Sequence, residues 1–298
     1  MKTKLIILGN NSSLPKKNYY PSAQILYMNN KYFLIDCGEN TQSQILKSKI
    51  KFLKINNIFI SHLHEDHYLG IFNLLFTYNL LKRKKNIKIY CPLILKILIK
   101  KFIKLLKKKM NYKIIFHILY KNKNTIIYNK NNIKIYTFPL KHNVYCNGFL
   151  FIENIYKKKI YWNKFLKNNN IKNINIINKK NINKNIYFNK KFIKYKLKQK
   201  SYAYCSDTKY NKDIIPFIKN INLLYHESTY LHKDKKIAFN KGHSTAYQAA
   251  KIANYSNVSK LLLGHFSNKI VNLNLYLKEA KIIFKNVYIS EILKTYYL

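Results

Sequence analysis

Apolar residues recur along this chain at two spacings. Runs of four to six residues that are continuous or alternating, bounded by Asn, Gly, Pro or Ser, predict strands over Lys4–Leu8, Ser22–Tyr27 and Tyr32–Asp36. Thr41–Lys47 predicts a short helix and Asn57–Ser61 another strand. Apolar positions three and four apart predict a helix over Tyr68–Lys82, then a strand over Ile87–Tyr90 and a basic amphipathic helix over Leu93–Met110. Lys113–Leu119, Thr125–Tyr128, Ile133–Phe138 and Phe149–Glu153 read as further strands. This is a mixed α/β pattern, with more consecutive strands than a doubly wound fold supplies.

The pattern stops at Asn154 and returns at Ser201. Strands follow over Ser201–Cys205, Asn222–Tyr225, Leu261–Leu263 and Val287–Ser290, with helices over Ser244–Tyr255 and Leu273–Phe284. Ser244 or Thr245 would cap the first of these helices. The second half echoes the first without repeating its sequence. Between them, Asn154–Lys200 holds no Gly, Pro, Asp, Glu, Ala, Ser or Val, and the only Trp, Trp162, lies there. We expect one domain over residues 1–298 with residues 154–200 inserted as a projecting basic arm, the alternative being a low-complexity linker.

Composition changes this picture in three ways. Hydrophobic residues at 48% argue for a packed core over 298 residues. Lys plus Arg number 56 against 11 Asp plus Glu, a net charge of +45, and Arg83 is the only Arg. Such a charge draws a chain to polyanions. It also follows from drift towards Lys, Asn, Ile and Tyr, the residues of A+T-rich codons. Four cysteines without a CxxC pair exclude a disulfide scaffold and suit a reducing compartment. There is no leader-like start and no apolar run of about 18 residues, so the expectation is a cytoplasmic protein with no membrane partner.

In a chain so rich in Lys and Asn, the scarce His, Asp and Glu are the informative residues. Ser61-His62-Leu63-His64-Glu65-Asp66-His67 packs several metal donors into a strand-to-helix turn. Imidazole and carboxylate donors converging at roughly 2 Å are what zinc requires. His62 and His64 can point one way, and Asp66 and His67 another. His142, Asp207, the His226-Glu227 pair and His265 each follow a predicted strand, where sites of α/β sheets form, and His243 opens a helix.

His62-x-His64-x-Asp66-His67 resembles the signature of the metallo-β-lactamase superfamily. Within it, Tyr204-Cys205-Ser206-Asp207-Thr208, His226-Glu227-Ser228-Thr229-Tyr230, Gly242-His243-Ser244-Thr245 and Gly264-His265-Phe266-Ser267 resemble ribonuclease Z, the tRNA 3′-processing endonucleases. Ile35-Asp36-Cys37-Gly38-Glu39 and Pro139-Leu140-Lys141-His142 resemble the same family.

The resemblance implies an αβ/βα sandwich and a zinc-dependent endoribonuclease that removes the 3′ trailer of precursor tRNA. It leaves a tRNA 3′-hydroxyl and a trailer 5′-phosphate. It implies two zinc ions: one on His62, His64 and His142, the other on Asp66, His67 and His265, with Asp207 bridging them. Asp66 would handle the attacking water, and His243, paired with Glu227, would protonate the leaving group. A homodimer is implied too. The family's Pro-x-Lys-x-Arg-Asn loop appears as Pro15-Lys16-Lys17-Asn18-Tyr19-Tyr20, keeping Lys16, Lys17 and the Lys residues of the arm as substrate contacts. The competing expectations are a phosphodiesterase of this fold acting on small molecules, and a non-catalytic RNA-binding relative.

Overall fold

The computed structural model describes residues 3–14, 17–120, 125–160, 193–270 and 272–298. The chain divides into two compact units, one of Met1–Glu153 with Lys200–Leu298, the other of Asn154–Gln199. In the larger unit the first sheet carries β1 (Lys4–Gly9), β2 (Ala23–Met28), β3 (Lys31–Ile35), β4 (Ile55–Phe59), β5 (Ile87–Cys91) and β6 (Ile114–Ile118) in that order, with β14 (Thr295–Tyr297) outside β1. The second sheet runs β7 (Thr125–Lys130), β8 (Ile133–Leu140), β9 (Cys146–Ile160), β10 (Ile193–Cys205), β11 (Leu223–Glu227), β12 (Leu261–Gly264) and β13 (Val287–Ile289). Each sheet pairs antiparallel at one end and parallel at the other, β3 to β6 in the first and β10 to β13 in the second.

Helices α1 (Thr41–Lys47), α2 (Glu65–Tyr68), α3 (Gly70–Leu80) and α4 (Leu93–Leu105) accompany the first sheet; α5 (Lys235–Lys241), α6 (Ala246–Tyr255) and α7 (Asn274–Lys281) accompany the second. Side-chain alternation explains why four layers form. In β3, Phe33 and Ile35 join the cluster between the sheets, while Leu34 joins the cluster under α3 and α4. In β11, Leu223 and Tyr225 face the other sheet and Leu224 faces α6. Both faces of these strands are covered, which is why Phe33–Ile35 and Leu223–Tyr225 read as unbroken apolar runs. The stacked rings of Phe59 and Tyr90, 4.3 Å apart, belong to the layer between the sheets.

Most expected elements are present, with differences at their ends. The helix expected over Tyr68–Lys82 spans Gly70–Leu80 and is set off from α2, which ends at Tyr68, where Gly70 N–H bonds Cys37 O. The basic helix stops at Leu105, five residues before Met110, with Lys107 in the left-handed region. Thr245, not Ser244, caps α6, through a capping box with Gln248. Strand β9 begins at Cys146 rather than Phe149, and α5 and β14 were not evident from the pattern. In the smaller unit, β9 and β10 are described to Ile160 and from Ile193, where Gln199 Nε2 donates to Asn154 Oδ1 at 3.1 Å. Trp162 and residues 161–192 of the expected arm lie outside the described residues.

Arg83 shows why one Arg stands among so many Lys. It is buried, its Nε donates to Lys85 O at 2.6 Å and Nη1 to Leu53 O at 3.3 Å, and Nη2 reaches Asn56 Oδ1. Its guanidinium lies 4.8 Å from the ring centre of Tyr78. An ammonium cannot reproduce this planar fork. Arg83→Lys should therefore cost roughly 1–3 kcal/mol, the buried side chain losing several of its hydrogen bonds. Urea unfolding with an unchanged midpoint would contradict that role.

Candidate metal centre

The donors gather at one edge of the larger unit, beyond the C-terminal ends of β4, β8, β10, β11 and β12. The chain leaves β4 extended, so His62 and His64 precede α2, and α2 carries Asp66 and His67 on its buried face. His142 follows β8, Asp207 follows β10 and His265 follows β12. His265, with a φ of 58°, and Asp36, with a φ of 54°, occupy the left-handed region that side chains rarely adopt. Such strain is held in place where a site needs it.

Two donor sets result. His64 Nδ1 lies 3.1 Å from both His62 Nε2 and His142 Nε2. His265 Nε2 lies 3.3 Å from both His67 Nε2 and Asp66 Oδ2. Asp207 faces both sets with different oxygens. Its Oδ2 is 3.5 Å from His62 Nε2 and 3.7 Å from His142 Nε2. Its Oδ1 is 3.5 Å from His67 Nε2 and 3.4 Å from His265 Nε2. Tetrahedral ligands about 2.0–2.2 Å from a zinc ion stand about 3.3–3.6 Å apart, close to the 3.1–3.7 Å seen here. Asp207 Oδ1 is buried without a hydrogen bond, and imidazole nitrogens face one another across 3.1 and 3.3 Å. These residues fit a pair of cations.

Outer partners fix which nitrogen each imidazole presents. Nδ1 of His67 meets Asp36 Oδ2 at 2.8 Å, Nδ1 of His142 meets Gly242 O at 2.7 Å, and Nδ1 of His265 meets Thr229 Oγ1 at 2.9 Å. Nδ1 of His62 lies 3.0 Å from Ser61 Oγ. In these four Nε2 is thereby left to face inward, while His64 presents Nδ1. Asp36 is itself held by Ser61 N–H, Ser61 Oγ and the Tyr204 hydroxyl at 2.7–2.8 Å. Gly242 has a φ of 81°, and a Cβ there would come within 2.6 Å of His142 Nδ1, so only Gly can place that carbonyl.

Beside the second set, His243 Nδ1 lies 2.9 Å from Glu227 Oε1 and 4.0 Å from Asp207 Oδ2. Glu227 is fully buried and accepts from Thr208 N–H at 2.9 Å and from Thr229 N–H and Oγ1 at 3.1 and 2.7 Å. Burial opposes the charge on His243, but Glu227 outweighs it and raises the imidazole to about 9. Burial and the neighbouring His67 push His62 down to about 4. Asp207 is held well below the usual carboxylate range, since His265, His67 and His62 outweigh its burial. Asp207 thus stays ionised and His62 neutral, whereas Asp207 and Asp66 outweigh burial and raise His67 well above its ordinary value, a proton that a bound cation has to displace.

The expected metal donors, with His243 and Glu227, therefore meet there. His226 does not: it is buried, its Nδ1 bonds Glu227 O at 2.7 Å, and it stands away from both donor sets. Lys17 is exposed, and Lys16 lies outside the described residues. The sequence reading gave no role to Asp36, Ser61, Tyr204 or Thr229. The rule that marked the other donors, a scarce acid at the end of a strand, also marks Asp36.

Residues 3–161 match the family model of the anti-Pycsar protein Apyc1, a match that ends before Asp207, Glu227, His243 and His265. By superposition the chain resembles the short form of human tRNase Z, with a TM-score of 0.74, 22% identity and coverage of 98% of either chain. It also resembles the metallo-β-lactamase fold protein YhfI of Bacillus subtilis, with a TM-score of 0.72, 19% identity and coverage of 100% of either chain. Ribonuclease Z of Bacteroides thetaiotaomicron is 34% identical over 288 residues, spanning 95% of this chain and 91% of that protein. Ribonuclease Z of Azobacteroides pseudotrichonymphae is 38% identical over 285 residues, spanning 95% and 94%. The fold is the metallo-β-lactamase sandwich and, matched through both of its halves, the chain belongs to the ribonuclease Z family.

Proposed function

We propose that the protein is a zinc-dependent endoribonuclease that cuts precursor tRNA at the 3′ end, leaving a tRNA 3′-hydroxyl and a 5′-phosphate on the trailer. The observation that carries this reading is the His243–Glu227 pair, 2.9 Å apart, set beside two donor sets that share Asp207. His62, His64, His142 and Asp207 would hold one zinc; Asp66, His67, His265 and Asp207 would hold the second. Bound there, the two ions would supply Lewis acidity and a water of lowered pKa.

The chain's own residues do the rest. Asp66 orients the attacking water beside the second set. Glu227 fixes the His243 tautomer by accepting from Nδ1, so Nε2 carries its proton towards the substrate. As the bond from phosphorus to the ribose 3′-oxygen breaks, that proton passes to the oxygen. Lys16, Lys17 and the Lys residues of 154–200 would contact phosphates, which position a nucleic acid without reading its sequence.

Three further readings belong to this proposal. The place of action is the cytoplasm; among the described residues no helix is long and apolar enough to cross a membrane. The working form is a homodimer, supported by Ile94, Ile97, Leu98 and Phe102, which stay exposed along α4. Residues 154–200 would hold the tRNA body. Replacing the arm with a short Gly/Ser linker should weaken precursor binding and flatten its salt dependence, while hydrolysis of a small phosphodiester survives. An unchanged salt slope would mean that the Lys content there is compositional.

The test of the function is an incubation of trailer-bearing precursor tRNA with the purified protein, with and without chelator. Chelator-sensitive release of a 5′-phosphorylated trailer is expected. The same incubation tests the competing expectation from the sequence, a phosphodiesterase of this fold acting on small molecules. Turnover of small phosphodiesters with no cleavage of the precursor would select it. Binding of the precursor with turnover of neither would select the non-catalytic alternative.

A further inference from the structure

A cavity of about 800 Å³ opens at the edge of the first sheet away from the metal donors. Lys54, on its wall, immediately precedes β4, and Lys85 stands just before β5. The donors gather beyond the other end of β4. The length of that strand, five residues or roughly 17 Å, therefore separates the cavity from the metal centre.

Strand register builds the floor of the cavity. Lys4 of β1 pairs with Tyr297 of β14 on one side and with Tyr27 of β2 on the other, and Tyr27 pairs with Tyr32 of β3. Directly paired residues share a face, so Tyr297, Lys4, Tyr27 and Tyr32 form one row across four strands. Tyr32 packs against the cluster under α3 and α4, which puts the row on the outer face of the sheet. The Tyr27 hydroxyl donates to Asn30 Oδ1 at 2.7 Å. Its ring centre lies 4.8 Å from that of Tyr32 and 5.8 Å from Lys4 Nζ. These contacts hold the inner rings, and Tyr297 stands exposed at the end of the row.

Charge completes the surface. Lys54 and Lys85 are exposed, and their ammonium groups have no partner among the described residues. No described residue lining the cavity is acidic. Lysines without an acid attract phosphates, and aromatic rings cover the faces of unpaired bases. Four strands about 4.8 Å apart span roughly 14 Å, longer than one base.

We propose that this row is an RNA-contact surface remote from the metal centre, and that it takes a short run of unpaired nucleotides. Bases stack on Tyr297 and the rings beside it, while Lys4, Lys54 and Lys85 neutralise the phosphates. Stacking and charge are indifferent to base identity, so the surface holds unpaired RNA without reading it. It binds whether or not the metal centre cuts.

The test follows binding of fluorescein-labelled octauridylate to the full chain by anisotropy. Three variants are compared with wild type: Tyr297→Ala, Tyr297→Phe, and the double variant Lys54→Ala, Lys85→Ala. All three positions are exposed and none is a metal donor, so unchanged melting temperatures are expected. Tyr297→Ala should weaken binding about 10-fold, and Tyr297→Phe, which keeps a ring to stack on, should restore it. The double variant should lower the slope of log affinity against log salt by roughly 1.4, about 0.7 for each phosphate no longer neutralised. With 4-thiouridine in the oligonucleotide, crosslinks should fall on β2, β3 or β14. Crosslinks confined to other parts of the chain, or affinity and slope unchanged in all variants, would overturn the surface. Uridine monophosphate competing as well as the octamer would make the ligand a free nucleotide and overturn the strand reading. So would an octaglutamate peptide that binds as tightly and is indifferent to Tyr297→Ala, since charge alone would then suffice.

Discussion

His62→Ala is expected to leave the protein with about half its zinc and no measurable turnover. His62 Nε2 stands 3.1 Å from His64 Nδ1 and 3.5 Å from Asp207 Oδ2, so its loss opens the first donor set. The shared carboxylate then faces one cation instead of two. Losing a single preorganised electrostatic contact to the transition state costs about 10²–10³ in rate, and here a whole cation with its activated water goes too. Metal analysis should find about one equivalent against two for wild type. The side chain is fully buried, so its removal also leaves a cavity; melting curves with and without added zinc separate this from ligand loss. Zinc should raise the wild-type melting temperature by more than the variant's. His117→Asn is the control, since His117 stacks on Tyr90 in the first sheet and lies outside both donor sets. Full zinc and activity in His62→Ala would refute the first set.

His243→Ala should give the opposite split. Zinc content and precursor affinity should stay near wild type, while kcat falls by roughly 10²–10⁴-fold, the usual worth of a general acid. Glu227→Gln should fall less, because the amide can still hold the ring while losing the charge. The pH profile carries the sign. Glu227 raises His243 to about 9 from an ordinary value of 6.5, so the acid form persists through neutral pH and activity is lost as pH rises through about 9. Glu227→Gln should move that alkaline limb downward. Asp207, His243 and His265 also stand close enough together to share a cation. Zinc loss in His243→Ala would therefore make His243 a ligand and remove its role as acid.

A good part of the molecule was readable along the chain. The strand and helix pattern arose because both sheets are covered on their two faces, so the buried stretches Phe33–Ile35 and Leu223–Tyr225 had to be apolar. The donors were readable because drift towards Lys, Asn and Ile left His, Asp and Glu scarce enough to stand out. Helix ends were less legible. Gly70 N–H bonds Cys37 O, a residue 33 positions earlier, and no local pattern announces that a helix starts beside a distant carbonyl.

The sequence by itself determined which residue types could bind metal and where along the strands they fell, since periodicity and composition are local properties. Only the tertiary structure decided how they divide. Asp207 turns one oxygen to each donor set because β10 brings it between the turn after β4 and the end of β12. Asp36 acts as the buttress of His67 because Ser61 and Tyr204, 25 and 168 positions away, meet it in the layer between the sheets. Gly242 supports His142 across 100 residues of chain. Partners this far apart carry no shared spacing, and burial in a low-dielectric layer is what forces each polar group to find one.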